Sequence, residues 1–201
     1  MQNILLILYP WQQTSLNLQP QINVTTALNY NNLNIPSFNI IIDCTEQWSQ
    51  IEITPNTINK VLFFIHQPLI TNQFLLPNFI RFNAWPTFFH NATWEFSGVL
   101  QSHFKTIIQN VLGKTLLKSS DVTGLISGSI IAGIINEAYN ALENNVGTKA
   151  DIDTAMKLGT NYPYGPFEWA QKIGVENIYN LLLAKQAYNP FYTPNKLMLN
   201  P

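Results

Sequence analysis

Charge is the scarcest ingredient of this chain. Of 201 residues only 10% are Asp, Glu, Lys or Arg, against about a quarter in an ordinary globular protein. Ten Lys and Arg against eleven Asp and Glu leave a net charge of -1, without the basic excess that a nucleic-acid backbone demands. No nucleic-acid partner is expected. The single cysteine, Cys44, excludes an internal disulfide and a cysteine-based zinc site, and it suits a reducing, cytoplasmic compartment. Three histidines, His66, His90 and His103, lack the spacing of a ligand set, so no metal is expected. No apolar run approaches the ~20 residues of a membrane helix, and no basic stretch precedes the run from Ile4 as it would in a signal peptide, so no membrane is expected. Glycine is missing altogether before Gly98. No G-x-S-x-G or Walker pattern is present either.

What remains is 46% hydrophobic and 12% aromatic, a composition that must fold around a core. The polar residues are mostly neutral, 25 of them asparagine, which leaves long-range electrostatics weak and solubility marginal. An oligomer would hide some of that surface.

The first half carries short, continuous apolar runs: Ile4-Leu-Leu-Ile-Leu-Tyr9, Phe38-Asn-Ile-Ile-Ile-Asp43, Lys60-Val-Leu-Phe-Phe-Ile65 and Phe79-Ile-Arg-Phe82. Runs of this length suit strands covered on both faces of a parallel sheet. A further strand is expected near 22–26, a helix over 100–112 closed by Gly113, and a strand over 115–118. From Asp121 the period changes to 3.6, with Ile126, Ile130, Ile134 and Ala138 in register and Gly124, Gly128 and Ala132 placing small residues four apart. Thr148 and Asp151 form a capping box for a helix through Leu158, stopped by Gly159. Pro166 opens another helix that Gly174 ends, and a last one runs over 175–186.

Gly124-Leu-Ile, Asn136-Glu-Ala138, Thr148-Lys-Ala-Asp-Ile-Asp-Thr-Ala-Met-Lys-Leu-Gly159 and Tyr162-Pro-Tyr-Gly-Pro-Phe-Glu168 resemble, without a gap, the C-terminal domain of the L-3-hydroxyacyl-CoA dehydrogenases. Pro194-Asn-Lys-Leu197 resembles the family's next element. The resemblance implies a fold of α/β plus all-α class: a reduced Rossmann-like parallel sheet domain, 1–120, followed by a helical domain, 121–201. It also implies acyl-CoA oxidation in fatty-acid metabolism with NAD as hydride acceptor, and a homodimer through the helical domain.

The site residues depart from that pattern. Phe79-Ile-Arg-Phe-Asn-Ala-Trp-Pro86 followed by Trp94-Glu95 resembles the strand-loop-strand that carries the family's catalytic His and, twelve residues on, its orienting Glu. Here the pair is Asn83 and Glu95. An amide has no proton to exchange near neutral pH, so the general base is absent. The family's active-site Asn falls on Gly128. Its G-x-G-x-x-G turn, which holds the cofactor pyrophosphate, falls on Tyr9-Pro-Trp-Gln-Gln-Thr14, where Pro10 also removes an amide donor.

The expectation is a catalytically degenerate homologue with no cofactor of its own, binding an acyl-CoA-like small molecule or a partner subunit. The alternative is an active dehydrogenase whose base has moved to His90 or His66, or one completed by another chain. Asn83, Glu95 and His90 are the candidate site residues. Capping accounts for Asp151 and Asp153, and Glu137 is expected to be buried in a structural hydrogen bond.

Overall fold

The computed structural model describes residues 3–14, 16, 23–52, 54, 57, 60–71 and 75–199. They divide into two units: Met1–Ala84 with Phe88–Leu125, and Trp85–Thr87 with Ile126–Pro201.

Among the described residues the first unit forms a seven-stranded sheet: β1 (Asn3–Ile7), β2 (Asn23–Ala27), β3 (Ile40–Asp43), β4 (Leu62–His66), β5 (Phe79–Phe82), β6 (Thr93–Ser97) and β7 (Thr115–Lys118), in the spatial order 2-1-3-4-5-6-7. The first five strands are mutually parallel and β6 runs antiparallel to β5, so the expectation of a parallel sheet holds except at that one junction. The chain passes from β1 outward to β2 and then back across to β3, a switch point whose crevice opens at the strands' carboxyl ends. Ile22, included in the expected second strand, lies outside the described residues.

Both faces of the central strands are covered, which is why β1, β3 and β4 are apolar at nearly every position rather than at alternate ones. Ile4, Leu6, Ile40, Ile42, Phe64, Phe82, Trp94 and Phe96 pack on one face with Ile108, Val111 and Leu112. The latter belong to the helix Ser102–Leu112, which closes at Gly113 in the left-handed region at φ 63°. Leu5, Ile7, Ile41, Phe63, Ile65 and Phe79 form the core of the other face. Two short helices lie in the loops of this part of the chain, α1 (Pro10–Gln13) after β1 and α2 (Pro86–Phe89) after β5; the longer Ser102–Leu112 is α3.

The second unit is helical: α4 (Leu125–Glu143), α5 (Lys149–Thr160), α6 (Pro166–Ile173) and α7 (Val175–Gln186). The capping box of α5 is present, with the Thr148 hydroxyl accepting from the Asp151 amide at 3.2 Å and the Asp151 carboxylate accepting from the Thr148 amide at 3.1 Å. Gly159 does not stop α5. The helix runs on to Thr160, and Asn161 takes the left-handed position at φ 57°, a place where asparagine serves as a glycine substitute. Gly124, with φ 87°, precedes α4 rather than lying on it. Ala132 is fully buried, while Ile126 and Ile130 of the same helix are exposed. Glu137 is exposed too, contrary to expectation, and accepts a hydrogen bond from Asn140.

Asp153, expected to cap its own helix, caps the next one instead, while Asp151 serves α5. The Asp153 carboxylate is 8% exposed and accepts from the amides of Phe167 at 2.8 Å and Glu168 at 3.2 Å, closing the first turn of α6 from another helix. Gly165, whose φ of -73° suits any residue, is required by closeness instead, because a Cβ there would run into the Asp153 side chain.

Candidate active site

The antiparallel register of β5 and β6 pairs Arg81 with Ser97 and Phe82 with Phe96. Carried one residue further, it sets Asn83 across from Glu95. Alternation then puts Arg81, Asn83, Glu95 and Ser97 on one face of the sheet and Phe82 and Phe96 on the other. The two strands thus turn polar on the face that Leu5 and Ile7 of β1 and Phe63 and Ile65 of β4 make apolar. Asn83 is buried and Glu95 half-buried.

Arg81 organises this face, and nothing in its sequence context marks it out. It is fully buried, its Nε donates to Asp121 Oδ1 at 2.9 Å, and two further N–H groups reach the carbonyls of Val122 at 2.6 Å and Gln67 at 3.3 Å. The Ser97 hydroxyl donates to the same Asp121 oxygen at 3.3 Å. Burial lowers the Arg81 pKa, opposed by its hydrogen bond to Asp121 and by the charges of Asp121 and Glu95. A charged pair at this strand junction is legible only once β5 and the segment around 121 are known to be neighbours.

His90 follows α2, exposed, its ring 5.8 Å from that of Trp11 and 5.9 Å from that of Phe89. His66 ends β4 and is buried. Its Nδ1 accepts from the Ala84 amide at 2.9 Å, and its Nε2 lies 3.6 Å from a Glu46 carboxylate oxygen. That pattern fits a neutral ring with its proton on Nε2, and burial drives the pKa down to about 4, against a hydrogen bond to the Phe82 backbone. His103 is exposed on α3. Asp43 ends β3, fully buried, and takes hydrogen bonds from Tyr30 at 2.9 Å and from the Thr45 amide and hydroxyl at 2.6 Å each. Burial still raises its pKa despite those donors.

The profile of the 3-hydroxyacyl-CoA dehydrogenase C-terminal domain matches residues 124–200. Those residues belong to that domain family. A 3-hydroxyadipyl-CoA dehydrogenase of Escherichia coli (strain K12) is 49% identical over 70 residues, 35% of this chain and 15% of the relative. A mitochondrial hydroxyacyl-coenzyme A dehydrogenase of Mus musculus is 32% identical over 105 residues, covering 50% of this chain and 33% of its own. The chain therefore spans a third or less of these two curated relatives. The crystal structure of (S)-3-hydroxybutyryl-CoA dehydrogenase from Ralstonia eutropha superposes with a TM-score of 0.68 over 89% of this chain and 69% of that one, at 22% identity. It shares the fold: a Rossmann-like sheet followed by a helical region.

The family corrects one expectation. The reading of no cofactor rests on the missing glycine turn, but the matched domain and relatives are those of dehydrogenases, with which an expectation of no cofactor conflicts. The turn governs one set of pyrophosphate contacts, whereas the crevice depends on strand order, which is retained. The turn itself does not fit the family's contacts. Pro10 has no amide to offer, and the amide of Tyr9 is taken by the Gln12 side chain at 2.8 Å. Among the described residues no group of three or more His, Cys, Asp or Glu could hold a metal, and no helix is long and apolar enough to cross a membrane.

Proposed function

We propose that this chain is a 3-hydroxyacyl-CoA dehydrogenase homologue of fatty-acid metabolism that binds an acyl-CoA-like molecule without oxidising it. What supports the reading is the antiparallel pairing of Phe82 with Phe96, the positions next to Asn83 and Glu95, together with an amide, Asn83, at the position where the resemblance implies the family's His. An Asn83 side chain donates a hydrogen bond to a carboxylate or a ligand hydroxyl but accepts no proton from it. Asn83 and Glu95 thus act as binding residues.

The relocated-base reading draws on His66, which does sit beside a carboxylate. It is the weaker of the two. The Nδ1 lone pair is engaged by the Ala84 amide and Nε2 faces Glu46, so accepting a substrate proton would require breaking the Ala84 hydrogen bond. His90, exposed against Trp11, is the other candidate.

Calorimetric titration with acetoacetyl-CoA, paired with an assay of NADH formation from 3-hydroxybutyryl-CoA, tests the proposal. Binding without turnover is expected. Turnover abolished by His66→Gln or His90→Ala would establish the relocated base. A homodimer through the helical domain is proposed alongside, supported by the exposed Ile130 on α4; light scattering giving the mass of one chain at micromolar concentration would exclude it.

A further inference from the structure

The two edges of the sheet differ in what they offer a neighbour. β7 carries Lys118, a charge of the kind that blunts an exposed edge, whereas β2 reads Asn23-Val-Thr-Thr-Ala27. No Asp, Glu, Lys, Arg or His precedes Asp43 in the chain. Among the described residues β2 pairs with β1 alone, and Thr25 and Thr26 are exposed. A cleft of about 390 Å³ lined by Asn3, Val24, Thr25, Ser37 and Phe38 borders the strand and leaves its flank open. The Ala27 carbonyl accepts from the Leu8 amide at 3.1 Å. Backbone groups of successive strand residues point to opposite sides, so Ala27 and Thr25 turn theirs toward β1 while Val24 and Thr26 turn theirs outward.

That pattern is complementary to itself. A twofold axis at Thr25 sets Val24 of one copy opposite Thr26 of the other, and each such pair exchanges two N–H···O=C bonds, four in all. The two Thr25 residues then face each other in the non-hydrogen-bonded position between those pairs. β-branched side chains suit such cross-strand contacts, and a symmetric junction brings a charge up against its own copy, which this strand avoids by carrying none. We propose that the free edge of β2 is a self-association site, at which a second copy of this chain adds its β2 antiparallel and continues the sheet. A junction of five residues a side is smaller than the ~1,600 Å² of a standard interface. The association is therefore weak and rises with concentration. It is independent of the helical-domain dimer and of the reading of Asn83.

Thr25→Cys tests the axis directly. Facing residues of a non-hydrogen-bonded pair have Cα atoms ~4.5 Å apart, within reach of a disulfide. Leu28, also exposed, would lie ~20 Å from its own copy. Cys44 is buried and does not compete. Mild oxidation of the full chain is expected to give a covalent dimer of Thr25→Cys and none of Leu28→Cys. Sedimentation at rising concentration supplies a second readout. Thr25→Lys, which sets two ammonium groups face to face, is expected to weaken the association about tenfold or more with an unchanged circular dichroism spectrum. Where the helical domains also pair, the wild-type mass climbs from two chains toward four and the lysine variant stays at two; otherwise it climbs from one toward two and the variant stays at one. Equal cross-linking of the two cysteine variants, a wild-type mass that does not rise, or a rise that Thr25→Lys leaves unaltered would overturn the proposal.

Discussion

In the helical unit, the residues that match the family are the ones that start and close helices. Thr148 and Asp151 open α5, Asp153 reaches across to open α6, and Gly165 makes room for it. In the sheet unit the correspondence is with strands alone. The hydrophobic runs make a doubly wound layer, while the positions to which the sequence resemblance assigns the family's cofactor turn and base hold Tyr9, Pro10, Gln12 and Asn83. Packing and chemistry are separable in this fold, because a strand needs only apolar residues at its buried positions, whereas proton transfer needs one particular side chain at one place.

The comparison predicts where substitutions will hurt. Arg81→Ala should cause the largest loss, about 3 kcal/mol, since it strands Asp121 and two backbone carbonyls at the edge of a buried network; denaturant unfolding measures it. A cost under about 1 kcal/mol would mean that the polar face is not part of the sheet's stability.

His66 sharpens the same point through pH. Its folded pKa of about 4 lies below its ordinary 6.5, so as the pH falls below 6.5 the unfolded chain takes up a proton that the folded ring refuses. Stability associated with His66 is fully present above pH 6.5 and is lost progressively down to about 4, by about 3 kcal/mol in all. Asp43 and Glu46 shift the other way. The measurement is therefore the difference between the wild type and His66→Gln across that window, and a difference independent of pH would contradict the neutral buried ring.

Two glycines of the helical unit should respond in opposite directions. Gly165→Ala forces a Cβ into the Asp153 side chain and should cost about 1–3 kcal/mol. Gly159→Ala, in a helical position with nothing within 4 Å of the new Cβ, should stabilise by about 0.5–1 kcal/mol. Paired melting curves check both. Equal effects at the two sites would show that helix propensity, not close approach, governs this unit.

Much of the fold is legible in the sequence because its signals are local. The apolar runs at Ile4, Ile40 and Phe63 announce strands, and Gly113, Thr148 and Pro166 punctuate helices within a few residues of where they act. Asn161 escapes notice as the end of α5 because glycine two residues earlier is the stronger local signal, and the helix keeps its hydrogen bonds past it. The site is harder to read. Asn83 and Glu95 stand out by their twelve-residue spacing, but the partnership of Arg81 with Asp121 spans 40 positions, and the hydrogen bond from Gln12 to the Cys44 carbonyl spans 32. Contacts at that separation depend on strand order, which no local pattern encodes.

The central claim is that the face carrying Asn83 and Glu95 binds without accepting a proton. It is tested most directly by mixing the full chain, at high concentration, with 3-hydroxybutyryl-CoA and NAD and following NADH absorbance from neutral to alkaline pH. No NADH above background, with acetoacetyl-CoA still bound, is the predicted result. NADH formation that rises with pH through a single ionisation would contradict it.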